Sequence, residues 1–241
     1  MSLIKVDRQL KDHLDYPDEV AWIIVCRNFD ELMNFTNFSL CKLINDRLIH
    51  LIFVSGNKII TRYVIDNISH ITVYDYGWSL IHFLICYSED VCLMEYFVNK
   101  YHVNLELTNI NSKGLNYNAC KYIRMDRGEL VESEILEGTR LIHLACCAGS
   151  HKMIQYLVSK RVDLEAETMN GWKPIHAVCH YQNYETIKYF LSKNLNLATK
   201  INCYNDVNVE RSVKDLLQTN DKLSSEHKEE LLEMIYQREN E

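Results

Sequence analysis

Four histidines close nearly the same tetrad: Arg47-Leu-Ile-His50, Ser79-Leu-Ile-His82, Arg140-Leu-Ile-His143 and Lys173-Pro-Ile-His176. Imidazole is the commonest metal ligand and titrates near neutral pH, so a recurring histidine invites a metal or acid–base reading. Nine cysteines (26, 41, 86, 92, 120, 146, 147, 179 and 203) add a second invitation. Cys146 or Cys147 with His143 or His180 are the ingredients of a thiol nucleophile and its base. Spacing argues against both chemistries. The histidines lie 32, 61 and 33 residues apart, the mark of a repeated unit. Equivalent side chains in stacked units are about 10 Å apart, a packed-helix spacing. Zinc needs its histidine nitrogens at about 2 Å. The cysteine number is odd, no C-x-x-C occurs, and the surroundings are apolar, whereas a reactive thiol wants an electropositive, semi-exposed setting. Buried reduced thiols acting as small hydrophobes account for the cysteines better. Gly-rich phosphate loops, nucleophile elbows and paired-carboxylate motifs are also missing. The sequence therefore predicts no catalytic residue, no metal and no cofactor.

The elements that position the histidines repeat with them. Gly77, Gly138 and Gly171 precede three tetrads, with Asn45 in the first copy, at a place suited to a left-handed turn. A second motif follows each tetrad: Tyr63-Val-Ile65, Tyr96-Phe-Val98, Tyr156-Leu-Val158 and Tyr189-Phe-Leu191. Three of these continue alike, as Val103-Asn-Leu-Glu106, Val162-Asp-Leu-Glu165 and Leu195-Asn-Leu-Ala198. In the third copy, Leu141, Ile142, Leu144, Ala145 and Ala148 predict a short first helix, broken at Gly149-Ser150. Met153, Ile154, Leu157 and Val158 predict a second helix with one buried stripe. Two-turn helices are not stable singly in water; stacked, their faces join into a continuous core.

The run Gly171-Trp-Lys-Pro-Ile-His-Ala-Val-Cys179 resembles the ankyrin signature G-x-T-P-L-H-x-A-A, with Lys173 for Thr and Ile175 for Leu. Gly138-Thr-Arg-Leu-Ile-His-Leu-Ala-Cys146 matches it without the Pro. The wording is similar to divergent arrays of unicellular eukaryotes and large DNA viruses. The resemblance implies an all-α ankyrin-repeat solenoid of helix pairs joined by projecting turns, with helical caps. It also implies a structural role for each tetrad histidine, bonded to backbone at the turn.

The expected organisation follows. Residues 1–44 form an N-terminal cap with a degenerate repeat. Repeats fill 45–108 and 135–200, and 109–134 is an insertion in the projecting loop or a truncated repeat, with Gly114–Ile123 as its one helix. Residues 201–241 hold a degenerate last repeat, with Asp215 in the histidine position, and a capping helix started by Ser224-Ser225-Glu226. The unit of His82 carries one residue more than that of His143 between its histidine and its Tyr motif, expected in the second helix or the turn that follows it.

Charge and hydropathy bound the partners. A net charge of −7 disfavours nucleic acid, and Lys113, Lys121, Arg124 and Arg127 are diluted by Asp126, Glu129, Glu132 and Glu134. No apolar run approaches the roughly 20 residues that span a bilayer, and the first residues lack a secretory pattern. The expected protein is a monomer in the cytoplasm, with the nucleus also open. The resemblance implies a non-enzymatic scaffold holding a protein partner on turn tips and inner-helix faces; a substrate adaptor for a ubiquitin-ligase complex is the alternative. Mapped onto this chain, the tips are Tyr76, Trp78, Thr139, Met169, Asn170 and Trp172. The inner-helix positions include Cys86 and Tyr87, Cys147 and Ala148, and His180 and Tyr181. Aromatics give large contact area at low entropy cost, which favours this strip as the interface. The competing role for each Trp is to pack over the neighbouring turn.

Overall fold

The computed structural model describes residues 57–68, 80–107, 121–126, 129–134, 138–148, 150–168, 171–203 and 206–240. They fall into two compact units, residues 1–104 with 111–135, and residues 105–110 with 136–241. The expected N-terminal cap and the first tetrad, Arg47 to His50, lie outside the described residues.

The first unit holds α1 (Lys58–Asn67), α2 (Leu80–Tyr87) and α3 (Val91–Tyr101). Asn57 starts α1 by accepting from the N–H groups of Ile59 and Ile60, and Asp90 starts α3 by accepting from Leu93. Val64 and Ile65 of the first Tyr motif are buried with Leu80, Ile81, Leu84, Ile85, Met94 and Phe97. The carbonyls at the end of α1 find donors on α3: the Tyr101 hydroxyl reaches Ile65 O at 2.6 Å and Ile68 O at 2.9 Å. This unit also contains β1 (Lys121–Asp126) and β2 (Glu129–Glu134), an antiparallel hairpin. Lys121, Tyr122 and Ile123 thus belong to a strand, not to a helix of a truncated repeat. The extra residue of this unit falls neither in the second helix nor in the turn after it, as expected, but in the connection before that helix: three residues, Ser88 to Asp90, separate α2 from α3, where two separate each of the two helix pairs that follow, Leu141–Ala148 from His151–Ser159 and Pro174–Tyr181 from Tyr184–Leu191.

The second unit runs α4 (Leu141–Ala148), α5 (His151–Ser159), α6 (Pro174–Tyr181), α7 (Tyr184–Leu191), β3 (Lys200–Cys203), β4 (Asp206–Ser212), α8 (Val213–Thr219) and α9 (Ser225–Glu239). The first helices α4, α6 and α8 pack in a row, each with its own second helix, and α9 lies on α7. The apolar periodicity is used as expected: Leu141, Ile142, Leu144 and Ala145 are buried on α4, and Met153, Ile154 and Leu157 on α5. Ser150, Asn183 and Ser224 cap α5, α7 and α9 by accepting from the third N–H onward. Leu231 and Ile235 anchor α9 while its outer face stays polar, which suits the closing element of a stack. Gly138 (φ 81°) and Gly171 (φ 76°) occupy the left-handed region, where a Cβ is costly.

Candidate interaction surface

His143 and His176 tie one repeat to the next. His143 is buried; its Nδ1 accepts the Arg140 N–H at 3.1 Å, which places the ring proton on Nε2. Nε2–H faces the carbonyls of Ala166 and Trp172, each at 3.1 Å. His176 repeats the arrangement, with Nδ1 accepting from Lys173 N at 2.9 Å and Nε2 3.3 Å from Thr199 O. Burial lowers the pKa of both rings, that of His143 to about 4, so both are neutral at physiological pH. In the last repeat Asp215 accepts the Ser212 N–H at 2.8 Å. A carboxylate can make the first bond of the imidazole but not the second, onward one.

Glutamates add a second brace that no sequence motif announced. Glu165 accepts from Asn196 N on one oxygen and from Lys173 Nζ on the other, both at 2.8 Å. Glu106 does the same with Asp163 N at 2.7 Å and Arg140 Nη1 at 2.5 Å. Lys173, which stands where the family signature has Thr, is only 8 % exposed on its side chain and lies between Glu165 and Glu167. Those carboxylates raise its pKa against the opposing effect of desolvation. A third brace uses the residue ending each first helix. Gln182 donates to Cys146 O, and Asn220 donates to Cys179 O at 2.9 Å and to Gln182 O at 2.8 Å. Both amides are buried and satisfied, as buried polar groups must be.

With the core and the braces accounted for, the surface of α6 stands out. Pro174 to Cys179 are all buried, whereas Trp172, His180 and Tyr181 are half-buried. Their rings meet edge to face: Trp172 to His180 at 6.3 Å, His180 to Tyr181 at 4.4 Å, and Trp172 to the buried His176 at 6.2 Å. The Trp172 backbone is fixed by Thr168, through Thr168 N to Trp172 O at 2.9 Å and Trp172 N to Thr168 Oγ1 at 3.2 Å. Trp172 therefore both packs on the turn and presents surface.

The other expected strip residues divide as follows. Thr139 is corrected: it is buried, a short side chain where the next repeat carries an indole, and presents no surface. Cys86 and Cys147, at positions equivalent to His180, are half-buried. Tyr76, Trp78, Met169 and Asn170 lie outside the described residues, as do the side chains of Tyr87 and Ala148.

Cys146 and Cys179 are buried thiols whose pKa is pushed up by burial, that of Cys179 to about 12, so neither is a thiolate near neutral pH. No group of three or more His, Cys, Asp or Glu side chains that could hold a metal occurs among the described residues. No helix among them is long and apolar enough to cross a membrane.

Helix pairs stacked at a fixed period and joined through backbone-bonded histidines define a helical-repeat solenoid. Residues 108–202 match the family model for ankyrin repeats, in three copies. Over that part of its length, less than half of the chain, it is similar to ankyrin-repeat proteins. The matched range takes in α4 to α7 and the β1–β2 hairpin. No curated protein matches the chain. Ankyrin repeats are generally protein–protein interaction modules, and the family is typically non-enzymatic.

Proposed function

We propose that this protein is a non-catalytic scaffold that holds a protein partner against the surface formed by Trp172, His180 and Tyr181. One observation carries the reading. These three rings, Trp172 from the turn before α6 and His180 and Tyr181 from its last residues, form a contiguous, partly exposed aromatic patch, whereas Pro174 to Cys179 of that helix are wholly committed to the core. A patch of rigid aromatics over a braced scaffold is the composition of interface anchors. Trp78 and Tyr87 hold the equivalent sequence places in the earlier repeat and extend the proposed surface. Cys92, Cys146 and Cys179 are free thiols, which supports a reducing compartment, the cytoplasm or the nucleus.

Affinity capture from cells, run in parallel with the wild type and the Trp172→Ala/Tyr181→Ala double variant, tests the reading. The expected result is a protein recovered with the wild type and depleted at least tenfold with the folded double variant. Equal recovery would place the interface elsewhere. Recovery of a cullin complex through the same surface would identify the ubiquitin-ligase adaptor role.

A further inference from the structure

Cations of the chain itself cover several of its tyrosine rings. Arg62 stands 3.3 Å from the ring centre of Tyr96, Lys193 4.1 Å from that of Tyr189 and Lys214 4.1 Å from that of Tyr236. The negative face of the ring attracts the charge. At Tyr96 a carboxylate completes the arrangement. Asp66 accepts from Arg62 Nε at 3.2 Å and from the Tyr96 hydroxyl at 2.5 Å. One guanidinium thus has a ring beneath it and an acid beside it. Trp172 carries the aromatic face that suits a cation best. Among the described residues no Lys or Arg lies over it, and its ring neighbours are His176 and His180.

The charge around its turn is acidic. Lys173, the next residue, lies 2.8 Å from Glu165 and 3.4 Å from Glu167, and Arg140 lies 2.5 Å from Glu106 and 3.2 Å from Asp163. Each brace sets two carboxylates against one cation and leaves one negative charge over. Glu167 is the most exposed of the four, at 57 % of its side chain. Its chain neighbour Thr168 is hydrogen-bonded to Trp172 at 2.9 Å, so excess acid and an uncovered indole share one turn. The far end of the patch has the opposite sign, because Lys222 Nζ donates to Tyr181 O at 2.7 Å. A cation is therefore favoured at Trp172 and opposed at Tyr181.

We propose that the protein partner presents an arginine whose guanidinium stacks on the indole of Trp172, with Glu167 balancing its charge. This rests on the reading of the aromatic patch as an interface and names what the partner must bring to it. Arginine suits the place better than lysine. Its guanidinium is planar, weakly hydrated and forked, so it can lie on a ring and meet a carboxylate at once. Arg62 already does both within the chain. The net charge of −7 favours the approach of such a partner.

Fluorescence polarisation of labelled short peptides titrated with the full chain tests this. The peptides are mixtures, degenerate in uncharged residues at the flanks, with arginine or its neutral isostere citrulline fixed at the centre. The arginine set is expected to bind tighter by about fivefold or more, the scale of a cation–π contact. Glu167→Gln is expected to remove most of that preference. Trp172→Leu, which keeps an apolar side chain on the turn without a π face, is expected to abolish it with helical circular dichroism unchanged, and Trp172→Phe to retain part of it. No binding of the arginine set, equal binding of the two sets, or a preference that survives Trp172→Leu or Glu167→Gln would each overturn the proposal. Depletion of the captured partner by the Trp172→Ala/Tyr181→Ala variant alongside equal binding of the two sets would refute the cationic anchor and leave the interface standing.

Discussion

Replacing His143 by Ala removes an imidazole that serves three backbone groups, and the structure says how many of them go unserved. The Trp172 carbonyl keeps a partner, because it also accepts from Thr168 N at 2.9 Å. The Arg140 N–H and the buried Ala166 carbonyl lose the bonds they make to the ring. Each such loss costs about 1–3 kcal/mol, so His143→Ala is expected to destabilise the fold by about 2–6 kcal/mol. For a chain of this size that is a fall in Tm on the order of 10 °C. His143→Asn separates the two functions of the ring. Asp215 shows that a short side chain at this position can accept the N–H three residues back, so Asn should retain that bond and lose only the onward one. Its cost is expected to be about half that of Ala. Thermal and urea melts followed by far-UV circular dichroism read both values. An unchanged melt for His143→Ala would refute the structural role of the histidine, and equal losses for Asn and Ala would refute the division between its two nitrogens.

Three further outcomes follow from the same geometry. The folded pKa of His143, about 4, lies below its ordinary 6.5, so the neutral ring stabilises the fold fully above pH 6.5 and that stability is withdrawn as pH falls toward 4. At about 1.4 kcal/mol per unit, this ring alone removes about 3 kcal/mol over that window, and His176 acts in the same direction; a urea midpoint constant from pH 7 to pH 4.5 would contradict this. Glu165→Ala strips the Asn196 N–H and leaves the nearly buried Lys173 ammonium with Glu167 alone, so a loss of about 1–3 kcal/mol is expected in the same denaturation assay. Pulsed alkylation read by mass spectrometry should label the exposed Cys92 in the native protein and leave Cys146 and Cys179 unmodified until denaturant is added; rapid native labelling of either buried thiol would contradict their burial.

The repeat was legible because each unit solves the same packing problem with the same residues. Leu141 to Ala145 and Met153 to Leu157 are buried as their periodicity requires, Gly138 and Gly171 take the positive φ that their position demands, and Asp215 occupies the histidine place. The braces were illegible because their partners lie in other repeats. Glu106 and Glu165 look alike at the end of their units, but only the fold shows that their acceptors meet Arg140 and Lys173. Gln182 and Asn220 look like ordinary polar helix ends until neighbouring carbonyls are seen to need donors. Lys121 to Asp126 lacks strict apolar alternation, so the hairpin register, set by cross-strand pairing, could not be read from one strand. Thr139 misled through equivalence: sharing the position of Trp172 does not give a small side chain the reach of an indole.

The proposed surface is tested most directly by the affinity of the captured partner for the wild type, Trp172→Ala and Tyr181→Ala, measured by titration calorimetry with helical content checked in parallel. Each substitution is expected to weaken binding by about 1–2 kcal/mol, roughly five- to thirtyfold, with the circular dichroism spectrum unchanged. Folded variants that bind as tightly as the wild type would contradict the claim that this aromatic patch holds the partner.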